Sequence, residues 1–294
     1  MKLSLVIPAK SKDDPKLAEL LRSIEAQDFP REELEVLVIT KGTSESAKAI
    51  GIRQAKGEVI GILASDNELI GINFLKNMTR ICLKEGSCYP AYYWYDTEDN
   101  VLNRYFSLIG GNDPLAYYMN KNDKLKWTDS LKSPSSDSAF GDNGFFVRKD
   151  IIIKSDLENY FHVDNVHDVI EEANLHCVDS RIWHKTGGNL LNFFKKRYHY
   201  GLQHAFNSNR RWHLVDFRQP KDIMRLIWFV ICSVTLVEPL ILSFRGFLKI
   251  RDVAWFLHPV ACLMTLTTYS LLVIRLGLSR LFPSSSAPTA VQKA

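Results

Sequence analysis

Between Val59 and Leu69 the chain reads Val-Ile-Gly-Ile-Leu-Ala-Ser-Asp-Asn-Glu-Leu, an apolar run that ends in an acidic turn. Asp66, with Asn67 and Glu68 beside it, is a hard-oxygen donor set. Such a set can hold Mg²⁺ or Mn²⁺, and the cation can in turn hold a phosphate. The apolar run has the length and composition of a central strand buried on both faces. Ligands of open α/β sheets bind just beyond the carboxyl ends of such strands. Asp66 has an alternative role as the N-cap of a helix over 69–78, and Glu68 as a solvated turn acid.

The elements around this turn alternate. A strand is expected over 3–7, a helix over 15–26 with Leu17, Leu20, Leu21 and Ile24 on one face, and a second strand over 34–39. A helix over 44–55 is broken by Gly57, and the third strand follows at 59–63. Alternating strands and helices imply an α/β fold with parallel strands and right-handed crossovers. A helix over 73–84 comes next. The middle of the chain, 89–150, reads as a long irregular region crowded with Tyr92, Tyr93, Trp94, Tyr95, Tyr105, Tyr117 and Tyr118. Loops of that length inside a domain usually carry function. Helices are expected over 163–172 and, basic and aromatic, over 189–204.

The composition, 46% hydrophobic and 24% charged over 294 residues, is that of a globular chain able to bury a full core. A net charge of +4 does not imply nucleic acid as a partner. Cys82, Cys88, Cys177, Cys232 and Cys262 are scattered and lack CxxC spacing. Reduced thiols in a cytosol-facing protein are expected from this pattern, and neither a zinc site nor a disulfide scaffold. The apolar stretch after Met1 is strand-length, too short for a signal peptide, so the catalytic part is expected in the cytosol.

The tail differs. Segment 226–244 carries one acid, Glu238, and 253–274 carries no acid or strong base. Each is about long enough for the ~30 Å hydrocarbon core of a bilayer. Two membrane helices over 226–275 are expected, with Glu238-Pro239 and His258-Pro259 interrupting them and an interfacial or re-entrant hairpin as the alternative. Basic residues precede the first segment over 206–225 and follow the second at Arg275 and Arg280. Both ends are therefore expected on the cytoplasmic face, although the short link 245–251 is basic too. The stretch 276–294 is expected to be a disordered tail.

Four segments in order resemble a family 2 glycosyltransferase of the GT-A fold over roughly 1–201. They are Leu5-Val6-Ile7-Pro8-Ala9-Lys10, the run from Leu20 through Gln27-Asp28-Phe29-Pro30, Ala55-Lys56-Gly57-Glu58-Val59-Ile60, and Ala64-Ser65-Asp66 in the place of the family's D-x-D. The resemblance implies a first domain over 1–205 with a Rossmann-like, mostly parallel sheet. It implies transfer of a sugar from a nucleotide-sugar donor to a lipid-linked or saccharide acceptor. Mg²⁺ or Mn²⁺ would neutralise the leaving diphosphate as a Lewis acid. Metal ligands implied are Asp66, Glu68 and His184, the last at the end of a strand over 178–184.

Donor contacts implied are Pro8, Ala9, Lys10, Lys41, Arg53, Ser65, Asp66, Lys195 and Arg197. Acceptor contacts are Asp113 and the Gly141-Asp142-Asn143-Gly144 loop, of which Asp142, Asn143 and Gly144 are the candidates. An inverting transferase needs one base for the acceptor hydroxyl. Asp164 aligns with it, and Asp168 lies one helical turn further on. The plainer roles are an N-cap for Asp164, solvated charges for Asp168, Lys41 and the Lys195-Lys196-Arg197 run, turn chemistry for Asp142 and Asn143, and a core or capping role for His184.

Two departures stand out. Ala64 replaces the first acid of the D-x-D, and Thr40-Lys41-Gly42-Thr43-Ser44 stands where the family has D-D-G-S. They favour one alternative, a degenerate GT-A domain that binds without catalysis. A processive polysaccharide synthase is the other, and two apolar segments are few for the channel it needs.

Overall fold

The computed structural model describes residues 1–111, 113–119, 141–173, 175–185, 188–206 and 210–281. The chain divides into two compact units, one of Met1–Tyr95 with Lys126–Thr186, the other of Asp96–Leu125 with Gly187–Ala294. The expected disordered residues beyond 281 lie outside the described ones.

The first unit is a seven-stranded sheet flanked by helices. Its elements are β1 (Leu3–Pro8), α1 (Pro15–Glu25), β2 (Leu34–Ile39), α2 (Ser44–Gln54), β3 (Val59–Ile62), β4 (Asn67–Ile70), α3 (Phe74–Glu85) and β5 (Ser87–Tyr93). The order of the last three strands is broken by helices α4 and α5, which belong to the second unit and span Val101–Ile109 and Pro114–Tyr118. β6 (Phe145–Arg148), α6 (Lys149–Ile152), α7 (His162–Glu172) and β7 (Leu175–His184) complete the first unit. The strand order is β2-β1-β3-β6-β5-β7-β4. β1 pairs in parallel with β2 and β3, and β5 with β7. β6 is antiparallel to both β3 and β5, and β4 to β7.

The core forms where sequence periodicity places it. Leu17, Leu20 and Ile24 of α1 pack with Leu3, Leu5 and Ile7 of β1, and with Phe74 and Met78 of α3, on one side of the sheet. Ile52 of α2 meets Ile60, Val147 and Val166 in a second cluster. Helix α1 starts on Asp14, whose carboxylate accepts from Lys16 N at 3.0 Å, with Pro15 in the first turn. Gly57 sits where the chain re-enters β3. A Cβ there would lie 2.5 Å from the Ser4 backbone nitrogen. Because that neighbour is backbone and cannot yield, Gly57→Ala is expected to cost about 3 kcal/mol, the upper end of overpacking, measured as a lowered urea midpoint.

Two expectations need correction. Residues 67–70 form strand β4 against β7, not the start of a helix over 69–78. The N-cap alternative for Asp66 falls with that helix. The described part of the middle region is also more regular than expected. It holds β5, β6, α4 and α5. Strand β5 hides because Pro90 interrupts its pattern, and its register with β7 shifts between Pro90 and Tyr92.

The second unit is helical, with α4 and α5 joined by α8 (Leu190–Phe206), α9 (Pro220–Thr235), α10 (Val237–Lys249) and α11 (Leu257–Leu281). Leu115, Tyr118, Phe229, Cys232 and Cys262 share its core. The expected single segment 226–244 is two helices bent by 80° at Leu236, which adopts φ 59°. Pro239 is tolerated because it falls in the first turn of α10, where no intrahelical donor is lost. Pro259 sits likewise in the first turn of α11 and interrupts nothing. Residues 276–281, expected in the tail, continue α11. Val253–Gly277 is long and apolar enough to cross a membrane by length and composition.

Candidate active site

The carboxyl ends of β1, β2 and β3 share one edge of the sheet, and Pro8–Lys10, Thr40–Gly42 and Ala64–Asp66 follow directly from them. Strand β6 runs against β3, so the loop 141–144 before it reaches the same edge. Strands β5 and β7 run with β3, which brings His184 there, and Asn67 at the start of β4 pairs with His184. Residues from six strand ends thus converge.

Asp66 Oδ1 lies 3.3 Å from His184 Nε2. The His184 ring stacks on Tyr93 at 5.8 Å, and its buried Nδ1 has no hydrogen-bond partner among the described residues. The Asp66 carbonyl accepts from Lys185 N at 2.8 Å. Asn143 closes the corner. Its Oδ1 accepts from Ala64 N at 3.0 Å and from the Asn67 amide, and its Nδ2 donates to Asn67 Oδ1 at 3.2 Å. Gly144 N donates to Ile62 O at 2.8 Å. Gly144 has φ +80°, a conformation that favours glycine in this turn.

Behind the loop lies a buried charge network. Lys48 of α2 donates to Asp142 Oδ1 at 2.9 Å, and Tyr160 donates to Asp142 Oδ2 at 2.6 Å. Lys48 also faces Glu45 at 3.5 Å. The Glu45 carboxylate accepts from His162 N at 2.9 Å and lies 3.1 Å from His162 Nδ1. Burial opposes the charge on Lys48, but Asp142 and Glu45 outweigh it and raise its pKa. Burial alone would raise the Glu45 carboxyl, yet Lys48 and His162 hold it at about 2. Burial and then Asp142 push the Tyr160 phenol up.

The Glu45 shift is a stability statement. A carboxylate with a depressed folded pKa stabilises above its unfolded value and loses that contribution as pH falls through the folded one. The urea midpoint is therefore expected to drop between about pH 5 and about pH 2. Glu45→Gln is expected to flatten that part of the profile.

Helix α7 starts at Phe161, whose N–H donates to Asn165 Oδ1 at 2.7 Å. Asn165 therefore serves the helix start. Asp164 lies in the first turn and is 1% exposed. Asp168 is half-buried one turn on.

The remaining candidates divide. Pro8 and Ala9 are half-buried at the shared edge, with Ala9 N on Ile39 O at 3.0 Å, and Lys10 and Lys41 are exposed there. Ser65 is half-buried beside Asp66. Arg53 sits in the last turn of α2, at the far end of that helix from the edge. Glu68 is drawn to Lys185 at 2.6 Å, which also pairs with Glu19 at 2.8 Å. Asp113, Lys195 and Arg197 belong to the second unit. There Asp113 caps α5 through Leu115 N at 2.9 Å, and its Oδ2 accepts from Arg197 at 3.3 Å and from Tyr269. Lys195 is exposed.

Sequence reasoning missed Glu45, Lys48, Tyr160 and Lys185, all of which brace the edge. Lys185 directly follows His184, and that adjacency was the one readable signal. Gln27 of the Gln27–Pro30 segment also proves to be a brace. Its amide spans Ser23 O, Gly71 O and Leu75 N.

Among the described residues no three His, Cys, Asp or Glu side chains converge on a cation site. Asp66 and His184 offer one carboxylate and one imidazole. Mg²⁺ commonly takes one or two carboxylates and completes its shell with substrate phosphates and water, so this donor pair fits a cation held jointly with a diphosphate. A separate cleft of about 460 Å³ opens at the opposite edge, lined by Glu85, Arg148, Asp150 and Lys154. Arg148 and Asp150 pair with each other there, and none of the converging residues reaches it.

No protein-family model matches the chain, and no curated protein matches it. Among solved structures, the chain is similar to a mannosyltransferase from Pyrobaculum calidifontis in complex with GDP-Man and Mn²⁺, at 11% identity and TM-score 0.51 over 97% of this chain and 88% of that one. It also aligns with residues 1–349 of TarS from S. aureus, at 14% identity and TM-score 0.43 over 73% and 67%. The first likeness shows a shared fold, a mixed α/β sheet flanked by helices, and this chain adds one C-terminal helix long and apolar enough to cross a membrane.

Proposed function

We propose that the chain is a membrane-attached, inverting glycosyltransferase of family 2 type that moves a sugar from a nucleotide-sugar donor to a lipid-linked or saccharide acceptor. The observation that carries this reading is the meeting of Asp66 and His184 at the edge where β1 and β3 end. The fold shared with a mannosyltransferase that binds GDP-Man and Mn²⁺ supports the donor class and a divalent metal.

In this reading Asp66 and His184 would hold Mg²⁺ or Mn²⁺, which would supply Lewis-acid neutralisation of the diphosphate leaving group. Pro8, Ala9, Lys10, Lys41 and Ser65 line the donor side. Asn143 and Gly144 fix the turn that presents Asp66, and Asp142 anchors that turn through Lys48. The carboxylate of Asp164 takes the proton of the acceptor hydroxyl as its oxygen bonds the anomeric carbon of the sugar, and the bond from that carbon to the diphosphate oxygen breaks, releasing the nucleoside diphosphate. Asp168 is the reserve candidate.

The test is thermal unfolding with GDP or UDP and Mn²⁺. Ligand at 100 times its Kd stabilises by about 2.7 kcal/mol, a shift of a few degrees. The shift is expected to need metal and nucleotide together and to vanish in Asp66→Ala. If no nucleoside diphosphate stabilises the protein, the reading is wrong.

A non-catalytic binding domain is favoured by one observation, that Glu68 pairs with Lys185 and leaves Asp66 as the acid facing His184. Joint stabilisation without transfer or hydrolysis of any nucleotide-sugar would select it.

A further inference from the structure

Helices α9 and α10 cannot be one span, because they bend by 80° at Leu236. Alone, the 13 residues of α10 measure about 20 Å, short of a ~30 Å hydrocarbon core. The helix is two-faced. Pro239, Ser243 and Gly246 are buried, and a Cβ on Gly246 would lie 2.3 Å from the Trp255 indole. Ser243 Oγ donates to Trp255 O at 2.8 Å, and the Trp255 indole N–H donates to Ile250 O at 3.1 Å. These contacts lock the helix about its axis. The face turned out holds Val237, Leu240, Ile241, Phe244 and Leu248, and Leu248 is 78% exposed. On α9 the outward stripe is Met224, Ile227, Trp228, Ile231 and Val234. Exposed Lys221, Arg245, Lys249 and Arg251 rim these faces.

Helix α11 is apolar enough to span, but its partners argue against it. Tyr105 of α4 meets His258 at 2.8 Å. Asp113, the cap of α5, meets Tyr269. Gly201 of α8 admits Leu272 so closely that a Cβ would lie 2.2 Å from Leu272 Cδ1, and Tyr198 accepts from Arg275 at 3.0 Å. From His258 to Arg275, about 26 Å of helix, α11 is thus held by elements that carry charges. Helices α4 and α8 also touch each other through Phe106 and Phe193, with ring centroids 4.9 Å apart. They cannot sit on opposite sides of a bilayer. A crossing would drag Asp113, Arg197 and the exposed Lys195, Lys196 and His199 toward hydrocarbon, where charge is costly.

We propose that the second unit is monotopic. It seats on one leaflet of an anionic bilayer through the outward faces of α9 and α10, with the basic rim at the level of the lipid phosphates and α11 as an internal strut. Amphipathic helices with basic flanks bind interfaces in this way. This rests on the membrane attachment proposed above and removes the difficulty of a basic link at 245–251, because the link never leaves the side on which the chain begins.

The experiment uses the full chain expressed in a bacterial membrane, as single variants Arg251→Cys and Lys293→Cys, each compared with the parent for labelling by an impermeant maleimide. Inverted and right-side-out vesicles are labelled before and after opening with detergent. Both positions are expected to label from the cytoplasmic face only. Labelling of either one from the opposite face overturns the proposal. Recovery of the parent in the soluble fraction overturns membrane attachment as well, so the two failures are distinguishable. In a second arm, Phe244→Gln with Leu248→Gln is expected to cut sedimentation with phosphatidylglycerol-containing vesicles about tenfold, with unfolding temperature unchanged. Binding equal to the parent's would overturn the assignment of that face.

Discussion

Lys48→Met is expected to lower the stability of the first unit by about 3–5 kcal/mol, the cost of leaving a buried charge without its partner. Asp142 is 3% exposed and would lose its ammonium partner, keeping only the Tyr160 hydroxyl. Replacing both members by apolar residues is a different experiment. Lys48→Met with Asp142→Leu removes the stranded charge, so it is expected to recover much of the loss despite removing more native contacts. Urea unfolding of the four proteins completes the cycle. If the single variant unfolds with a wild-type midpoint, the network is not a stabilising brace. The loop also positions chemistry in the proposed reading, because Asn143, the next residue, clamps Ala64 and Asn67. A milder variant, Lys48→Arg, is then expected to keep the fold and weaken nucleotide-dependent stabilisation.

Asp164→Asn is expected to reduce transfer by about 10²–10⁴-fold, the usual contribution of a positioned general base. Asp164→Asn keeps the shape of the side chain and leaves Asp66 and His184 in place, so stabilisation by nucleotide and metal is expected to persist. That pairing separates a lost base from a lost fold. If Asp164→Asn turns over near the wild-type rate, the base is elsewhere, and Asp168 and then Asp142 are the residues to replace.

How much of this was readable beforehand depended on sequence distance. Strands β1, β2 and β3 and helices α1, α2 and α3 announce themselves, because each apolar period is local and each break is marked by Pro, Gly or a capping residue. Asp66 and His184 stood out as candidates through family likeness, and the structure brings them within 3.3 Å. Strand β4 escaped notice because four residues, Asn67–Ile70, have no periodicity of their own and take their conformation from β7, more than a hundred residues later. Lys48 and Lys185 look like surface lysines in one dimension. Only the fold shows that Asp142 and Glu68 wait for them. The bend at Leu236 was signalled by the interruption expected at Glu238-Pro239, because Pro239 has no N–H to carry the first helix onward, although the left-handed residue itself is neither glycine nor proline.

Strand β6 lies between β3 and β5 in the sheet but follows both in the chain by more than fifty residues. During synthesis β3 must therefore wait, with one edge unpaired, until Phe145–Arg148 emerges. Pairings of such high contact order are slow, since the closure entropy is lost before any contact rewards it. The corner that Asn143 completes is assembled in the same event. A nascent chain stopped anywhere before residue 143 would display the half-sheet β2-β1-β3 with an open edge, β4 and β5 without the strands they pair with, and no clamped Asp66, a state inclined to aggregate.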